Sequence, residues 1–319
     1  MTVRVGLVGA GIMGGYHARI LAREIAGAEL VAISDPDKER AEAASQGARI
    51  EADAMRLIAL ADVDAVVIAT PDEFHHRLVL AAVDAGKPVL CEKPLAATTA
   101  ECRNIVAAER GRKLVTTGYM RRFDPAYREL KQCVESGAIG EIKLMHCVHR
   151  NVAAAPWFTG AMSFTNGLVH ELDICRWLLG VEYRRATVHV IQSSVDPIFV
   201  VLETDQGFLV TVEFFVNAHY GYDVHADIVG SKGTISMAEP ALTRLRQDGA
   251  VRASYSAKWI PRFAEAYKAQ SQAWIDGIRA QSFPVDAASA EDGLFATAYA
   301  EQLASLLGSG GRGELGLPV

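Results

Sequence analysis

Three glycines near the start of the chain have the spacing of a phosphate-binding loop. Gly9, Gly11 and Gly14 form the pattern G-x-G-x-x-G, with Ile12 and Met13 inside it. The loop follows an apolar strand pattern and opens a helical one, so a pyrophosphate would sit on the helix N-terminus while the glycines allow close backbone approach. This context predicts a dinucleotide site of the Rossmann type, although the hexapeptide alone is equally typical of an ordinary glycine turn.

An acidic residue ends the next predicted strand. At that place the carboxylate of Asp35 would accept hydrogen bonds from both ribose hydroxyls of a dinucleotide and repel a 2′-phosphate, which favours NAD over NADP. Ser34 and Arg40 are close in sequence and are able to bind a phosphate, which weakens this preference. An ordinary surface aspartate is the alternative interpretation.

A lysine lies at the end of another apolar strand. In Cys91-Glu92-Lys93-Pro94-Leu95, Lys93 falls at the carboxyl edge, where doubly wound sheets bind their ligands. An ammonium group there can donate to a substrate oxygen and favour its ionised form. From this motif alone, a solvated lysine at a strand end is an equally good interpretation.

Alternating strands and helices place these residues within residues 1–118. Apolar runs without polar alternation predict strands buried on both faces of a parallel sheet: Arg4–Val8, Glu29–Ser34, Asp64–Thr70, Pro88–Cys91 and Lys113–Thr117. Helical patterns lie between them: Met13–Ala26, Asp37–Gln46, Ala54–Leu60, Glu73–Ala85 and Thr99–Arg110. The prediction is an α/β domain with a doubly wound parallel sheet.

The pattern changes in residues 119–319, which we predict to form an α+β domain with a large, mostly antiparallel open sheet. Helices are expected at Pro125–Ser136, Leu168–Leu179, Arg262–Arg279 and Ala290–Leu307. Strands are expected at Glu141–Arg150, Thr187–Ser193, Ile198–Glu203, Phe208–Asn217, Asp223–Gly230, Thr234–Met237 and Leu242–Arg246. A loop spans Asn151–Asn166, and a glycine-rich tail of low complexity begins at Gly308.

Composition excludes several classes of function. The net charge of −6 and a single tight basic cluster, Arg121-Arg122, argue against a nucleic-acid partner. No apolar run approaches the roughly 20 residues that span a bilayer, and because the first residues already have a strand pattern, no secretory leader is expected. The five cysteines are widely spaced, and the histidine spacings suggest no metal site. A cytoplasmic protein without metal or membrane is expected.

Ordered motifs along nearly the whole chain resemble the Gfo/Idh/MocA oxidoreductases, and among them the inositol 2-dehydrogenases. The segments that carry the resemblance are Gly9–Gly14, Thr70-Pro71 with His75, Glu92-Lys93-Pro94, Gly118–Asp124, His146–Asn151, Leu168–Asp173, Tyr220–Asp223, and Trp259 with Arg262-Phe263.

The resemblance implies a role for two residues in hydride transfer. Lys93 would hydrogen-bond the reacting hydroxyl, in front of a cis Lys93-Pro94 peptide. His170 would act as general base, taking the hydroxyl proton as hydride leaves the same carbon for nicotinamide C4. A histidine at a helix start is otherwise more often structural.

The resemblance also implies the binding residues. NAD would contact the glycine loop and Asp35 together with Thr70, Pro71, His75, Glu92 and Lys93. The substrate would contact Lys93, Met120, Arg121, His149, Asn151, Asn166, His170 and Tyr220. No metal takes part.

One pair of residues departs from the pattern. Inositol dehydrogenases usually have Asp four positions before the catalytic histidine, followed by Thr, whereas this chain has Asn166 and Gly167. Three interpretations follow. The substrate preference has shifted while Lys93 and His170 suffice, Asp173 compensates electrostatically, or the chain is a weakened or non-catalytic relative.

Three functions therefore compete. The leading prediction is NAD-dependent oxidation of a ring hydroxyl of an inositol or related cyclitol to a ketone. The second is the same chemistry on an aldose, amino sugar or glycoside, with the choice made in the loop that contains Trp157 and Phe158. The third is a non-catalytic NAD-binding sensor. A homo-oligomer, dimer or tetramer, is expected through the exposed face of the large sheet.

Overall fold

The chain forms two compact units. A computed structural model describes residues 1–190, 197–238, 244–307 and 311–318. The first unit contains Met1–Phe123 and Glu265–Ala298, and the second contains Asp124–Ala264 and Tyr299–Leu317. The predicted division at residue 118 lies within five residues of the first boundary, but the predicted continuous second domain, 119–319, needs correction. Residues 265–298 belong to the first unit because they pack against its sheet.

The first unit is built on a seven-stranded sheet whose strands are nearly all parallel. Its strands are β1 (Val3–Val8), β2 (Ala28–Ser34), β3 (Arg49–Ile50), β4 (Ala65–Ile68), β5 (Val89–Cys91) and β6 (Val115–Thr117). Their order is β6-β5-β4-β1-β2-β3, and Ala288–Ser289 adds an antiparallel edge strand beside β6. This is the predicted doubly wound sheet, with two short strands that the sequence pattern did not indicate.

Helices cover this sheet in the alternation that the sequence predicts. They are α1 (Ile12–Arg23), α2 (Lys38–Ala44), α3 (Ala54–Ala59), α4 (His75–Asp84) and α5 (Thr99–Glu109). The apolar residues of β4 are completely buried, and two of them, Val66 and Ile68, form one core with Val79, Val83 and Ile105. A sheet that is covered on both faces leaves only the carboxyl ends of its strands open for polar residues.

The second unit contains the predicted mostly antiparallel sheet. Its strands are β7 (Ile142–Arg150), β8 (Tyr183–Val190), β9 (Ile198–Thr204), β10 (Leu209–Phe215), β11 (Asp223–Gly230) and β12 (Thr234–Ser236). They are ordered β12-β11-β7-β10-β9-β8, and only β7 and β10 run parallel. Buried and partly exposed residues alternate along β9 and β10, so one face of the sheet carries the core.

Helices α6 (Pro125–Glu135) and α8 (Val169–Leu179) belong to this second unit, and α8 is almost entirely buried. The expected loop 151–166 is wrong at its end, because α7 (Gly160–Met162) and a π-helical segment (Ser163–Leu168) lead into α8 without a break. Two later helices, α9 (Trp259–Ala280) and α10 (Ala290–Leu306), each contribute residues to both units.

The end of the chain also differs from prediction. Within the predicted glycine-rich tail, Arg312–Glu314 forms an edge strand, which pairs antiparallel with β8. Part of the predicted strand Leu242–Arg246 is present in a two-stranded hairpin, Arg244–Gln247 with Ala250–Ala253. Residues 191–193 and 242–243 of the predicted strands, and the predicted tail at 308–310, lie outside the described residues.

Candidate functional site

The glycine loop lies between β1 and α1 and is closely packed against its surroundings. Gly9 has φ +95°, and a Cβ there would lie 2.5 Å from the Ala69 carbonyl oxygen. A Cβ on Gly14 would overlap the Gly9 carbonyl oxygen. Both positions therefore need glycine, one for its backbone conformation and one for the close approach of helix to strand.

The outer side of this loop is open. A Cβ on Gly11 would meet nothing within 4 Å, and Ile12 at the start of α1 is 71 % exposed. The N-cap residue of α1 is Gly11, which has no side chain to cap the helix, and the first-turn N–H groups and the helix dipole favour an anion. The hydroxyl oxygen of Thr70, at the end of β4, is buried without a hydrogen-bond partner among the described residues. These features fit the pyrophosphate of a dinucleotide.

Asp35 follows β2 directly, beside the glycine loop. Its Oδ2 accepts a hydrogen bond from the Ala10 N–H (2.6 Å), and its Oδ1 accepts one from the Asp37 N–H (2.8 Å). A carboxylate has about four acceptor positions, so both oxygens keep capacity for ribose hydroxyls. The backbone contacts fix the carboxylate at the place where the sequence predicted it.

His75 is buried, and its ring bridges two loops through hydrogen bonds. Its Nδ1 lies 2.8 Å from the Pro94 carbonyl oxygen and its Nε2 lies 2.9 Å from that of Thr70. Burial lowers the pKa of this imidazole and outweighs the two hydrogen bonds. In the neutral ring only one of the two nitrogens donates, to the carbonyl oxygen that faces it. With 1 % exposure, His75 supports the loops after β4 and β5, and its predicted direct contact with the cofactor stays a prediction.

Glu92 and Lys93 follow β5 directly. Glu92 is buried, Lys93 is partly buried, and the Lys93-Pro94 peptide is cis, as the resemblance implied. The Glu92 carboxylate accepts a hydrogen bond from the His17 ring (2.8 Å), which the sequence reasoning did not foresee. Glu92 therefore points inward, and a direct contact between its side chain and the cofactor stays a prediction.

Met120 and Arg121 also belong to the first unit. They lie in a short 3₁₀ turn, Met120–Phe123, that follows β6, and both side chains are almost completely buried. The neighbouring Arg122 forms an ion pair with Asp292 of α10 (3.1 Å). The turn is therefore firmly held, and the predicted substrate contacts of Met120 and Arg121 stay predictions.

The second unit brings two predicted histidines together. His149 near the end of β7 and His170 in the first turn of α8 have ring centroids 6.3 Å apart. The Nδ1 of His149 lies 3.0 Å from the carboxylate of Glu171, and both residues are buried. The edge of the Phe214 ring contacts His149 at 4.9 Å between centroids.

Asn166 lies in the π-helical segment, just before α8. Its Oδ1 accepts a hydrogen bond from the Thr165 hydroxyl (2.8 Å). Short π-helical turns are frequent at functional sites. The next residue, Gly167, faces the core, and a Cβ there would overlap the ring of Phe214 on β10. Phe214 thus occupies the space that a side chain at position 167 would need.

Tyr220 is half exposed and belongs to a charged network. Its hydroxyl donates to Asp223 and accepts from Arg150 (3.0 Å), which also pairs with Glu213. Burial raises the pKa of Tyr220 to about 12, with Arg150 opposing the rise and Asp223 adding to it. Asn151, just after β7, donates its backbone N–H to the carbonyl of Phe215 at the end of β10, and its own carbonyl accepts from the N–H of Ala218. The substrate contacts of Tyr220 and Asn151 stay predictions.

Two residues of these sites were missed from the sequence. His17 lies three positions after Gly14, but its partner Glu92 lies 75 positions away. In the sequence, Phe214 looks like an ordinary strand residue. Its importance for the site is evident only from its packing against Gly167. The signal in each case was local, a histidine on the first helix and a glycine before the histidine of α8.

Within the described parts of the chain, no three His, Cys, Asp or Glu side chains are grouped as metal ligands would be. Among the same residues, no helix is long and apolar enough to cross a membrane.

Comparison with known proteins adds the family. Residues 3–119 match the GFO/IDH/MocA profile described as an oxidoreductase family with an NAD-binding Rossmann fold, and residues 127–236 match the C-terminal domain of the same family. The chain is 51 % identical to inositol 2-dehydrogenase 1 of Saccharopolyspora erythraea, over 94 % of this chain and 93 % of that protein.

Two solved structures are similar over almost the whole chain. The crystal structure of myo-inositol dehydrogenase from Lactobacillus casei, in complex with NAD(H) and myo-inositol, has a TM-score of 0.94 and 32 % identity, covering 99 % of this chain and 97 % of that one. The scyllo-inositol dehydrogenase of the same species, with NAD(H) and scyllo-inositol, has a TM-score of 0.90 and 25 % identity, covering 99 % of each chain. These matches confirm the resemblance, the fold class and the predicted cofactor.

Proposed function

The chain belongs to the GFO/IDH/MocA family of oxidoreductases, and from this premise we propose that it oxidises a secondary ring hydroxyl of an inositol, or of a related cyclitol, to a ketone with NAD. The observation that carries the proposal is the identity with inositol 2-dehydrogenases, which extends over almost the full length of both proteins.

The cofactor site is assigned to residues of the first unit. The glycine loop, Gly9 to Gly14, and the start of α1 would hold the pyrophosphate, while Asp35 would hold the adenosine ribose. Thr70, Pro71 and Lys93, at the ends of β4 and β5, would line the nicotinamide side. NAD, when bound, supplies the acceptor for a hydride at nicotinamide C4.

The chemistry is assigned to Lys93 and His170. Lys93 donates a hydrogen bond to the oxygen of the reacting hydroxyl and stabilises the negative charge that develops there. His170 takes the proton from that hydroxyl, for which an unperturbed imidazole is well matched near neutral pH. Arg121, His149 and Asn151 hold the other ring hydroxyls.

A second substrate class is favoured by one observation. Gly167 has no side chain, and the Phe214 ring fills the adjacent space, so the wall beside Asn166 is apolar where inositol dehydrogenases usually have a threonine hydroxyl. Such a wall suits a ring with one hydroxyl fewer. The same chemistry on an aldose, amino sugar or glycoside is therefore the second candidate.

A substrate panel tests the proposal. NADH formation is followed at 340 nm with myo-, scyllo- and D-chiro-inositol, with aldoses and amino sugars, and with Lys93→Ala and His170→Ala as controls. We expect the highest kcat/KM for a cyclitol, no turnover in either variant, and NAD affinity within about threefold of wild type because neither residue holds the pyrophosphate. A sugar that outperforms every cyclitol selects the second candidate. Near-native kcat in either variant contradicts the role assigned to that residue.

A homo-oligomer, dimer or tetramer, completes the proposal. The face of the second sheet away from the core carries partly exposed apolar residues on neighbouring strands, including Phe199, Leu209 and Val229. A second copy of the chain, packed on this face, would bury them. Light scattering of wild type and Leu209→Asp tests this. A charge buried in the interface should disrupt the oligomer, so the molar mass measured for the variant should be lower. A cytoplasmic location is proposed with it, as a chain whose five cysteines form no disulfide is typical of a reducing compartment.

A further inference from the structure

A buried histidine–carboxylate pair lies directly behind the strand end that carries Lys93. His17, on α1, is 1 % exposed, and its Nε2 lies 2.8 Å from Oε1 of Glu92. Glu92 is 8 % exposed and is the residue immediately before Lys93. The pair therefore connects the helix of the glycine loop to the end of β5.

The second carboxylate oxygen of Glu92 is also engaged. Its Oε2 accepts a hydrogen bond from the backbone N–H of Lys93 (3.3 Å). On the other side, Gly118 approaches so closely that a Cβ there would lie 3.2 Å from Oε2 and 3.0 Å from the Glu92 Cα. The carboxylate thus has a fixed position, and one of its contacts is the backbone of Lys93 itself.

The orientation of the His17 ring is fixed as well. The edge of the Tyr267 ring from α9 contacts it, with centroids 6.1 Å apart and ring planes at 88°. The Nδ1 atom of His17 is buried without a hydrogen-bond partner among the described residues, so the ring's polar contact with the protein is the one with Glu92. Nε2 therefore carries the proton and donates to the carboxylate.

The electrostatics favour an ionised Glu92. Burial raises the pKa of this carboxyl, but the hydrogen bond from His17 and the positive charge of Lys93 outweigh burial and hold the pKa below its usual range. A pair of apolar side chains would fill the same space without the desolvation of a carboxylate. Packing alone therefore does not explain why this position carries a charge.

We propose that His17 is a positioning residue, which acts through the Glu92 carboxylate to fix the backbone of Lys93 and keep a negative charge beside its ammonium group. The inference rests on the role that the proposed function gives to Lys93. Neither His17 nor the Glu92 side chain has to contact the substrate for this.

Steady-state kinetics with four variants test the coupling. His17→Leu removes the donor, Glu92→Gln removes the charge, and the double variant removes both. His17→Gln keeps an N–H donor, and Ile20→Val is a matched control because it changes a buried residue on the same helix. Thermal unfolding and NAD titration accompany each measurement.

We expect His17→Leu and Glu92→Gln each to lower kcat about 10- to 100-fold, the usual effect of a slightly misplaced reacting group, with NAD affinity within about threefold. The double variant should be no worse than the poorer single one, because both act through one contact. His17→Gln should recover most of kcat, and Ile20→Val should keep it. Near-native kcat in His17→Leu and Glu92→Gln, or losses that multiply, would overturn the inference.

A readout without substrate separates this inference from the proposed function. Acylation of Lys93 by acetic anhydride is measured by mass spectrometry relative to Lys87, whose Nζ donates to two backbone carbonyls elsewhere in the unit. Glu92→Gln removes the negative charge, and His17→Leu removes the hydrogen bond that holds the pKa of the buried Glu92 down. In both variants more of Lys93 is therefore the free amine, so it should react severalfold faster. If wild type oxidises no cyclitol or sugar, the proposed function fails and the labelling decides: faster labelling supports the pair, and unchanged labelling overturns it.

Discussion

Replacing Gly167 by threonine probes the packing that distinguishes this chain from the usual inositol dehydrogenase pattern. Gly167 is not among the glycines with positive φ, so its backbone accepts a side chain. The obstacle is the Phe214 ring, which a Cβ would overlap. The variant therefore measures steric conflict with one identified group.

The magnitude follows from two opposing effects. Threonine has a better helix propensity than glycine by a few tenths of a kcal/mol. Inserting a side chain into a well-packed core costs about 1–3 kcal/mol, so the net effect is a lower free energy of unfolding by about that amount. Phe214→Leu alone should cost roughly 1–2 kcal/mol, because it removes ring volume and the edge contact with His149.

Urea unfolding of the single and double variants forms the assay. If the ring and the new side chain compete for one space, the double variant Gly167→Thr, Phe214→Leu should lose less free energy of unfolding than the two single variants together. The difference should be at least about 1 kcal/mol. Gly15→Thr is the matched control, since a Cβ there meets nothing within 4 Å and the same chemical change should be nearly neutral. Additive losses, or a Gly167→Thr protein as stable as wild type, would refute the packing argument.

Three further predictions concern cofactor, substrate and pH. Asp35→Ser should shift kcat/KM from NAD towards NADP and also lower stability, because two backbone N–H groups lose their carboxylate; an unchanged ratio removes Asp35 from the site. Asn166→Asp should raise kcat on myo-inositol, as a carboxylate orients the imidazole of His170 better than an amide; no rise points to the second substrate class. The hydrogen bond to Asp223 raises the pKa of His225, so this contact stabilises the fold fully below about pH 6.5 and is lost as pH rises through the folded pKa. In His225→Gln, the free energy of unfolding measured with urea should change less with pH in this range than it does in wild type.

Local pattern predicted the first unit well for a physical reason. Strands such as β4 are buried on both faces, so their apolar runs are unbroken and their polar neighbours fall at the carboxyl edge. The glycine loop, Asp35 and Lys93 could each be located from such strand ends. The short strands β3 and Ala288–Ser289 were missed, because two residues carry too little pattern to be read.

Long-range packing explains most of the errors. Arg312–Glu314 has no strand pattern of its own and becomes extended by pairing with β8. Residues 163–166 read as a loop because Asn166 and Gly167 are poor helix formers, yet the packing of this segment against β10 holds it in helical form. The partners of Glu92 and Gly167 lie far away in sequence, so a local signal marks one residue of each pair but not which residue it contacts.

The two proposed catalytic residues share a feature that neither motif contains by itself. Glu92 precedes Lys93, Glu171 follows His170, and each glutamate is buried against a histidine from a neighbouring element. The side chains of adjacent residues point in different directions, both at a strand end and on a helix. When one side chain is buried in the protein, the next one is therefore directed away from that buried position. Each unit thus ties the backbone beside a reacting group to a second element through a buried charge. An apolar pair would pack there but would fix neither the direction of a hydrogen bond nor a charge, and both are needed where a proton and a hydride leave one carbon.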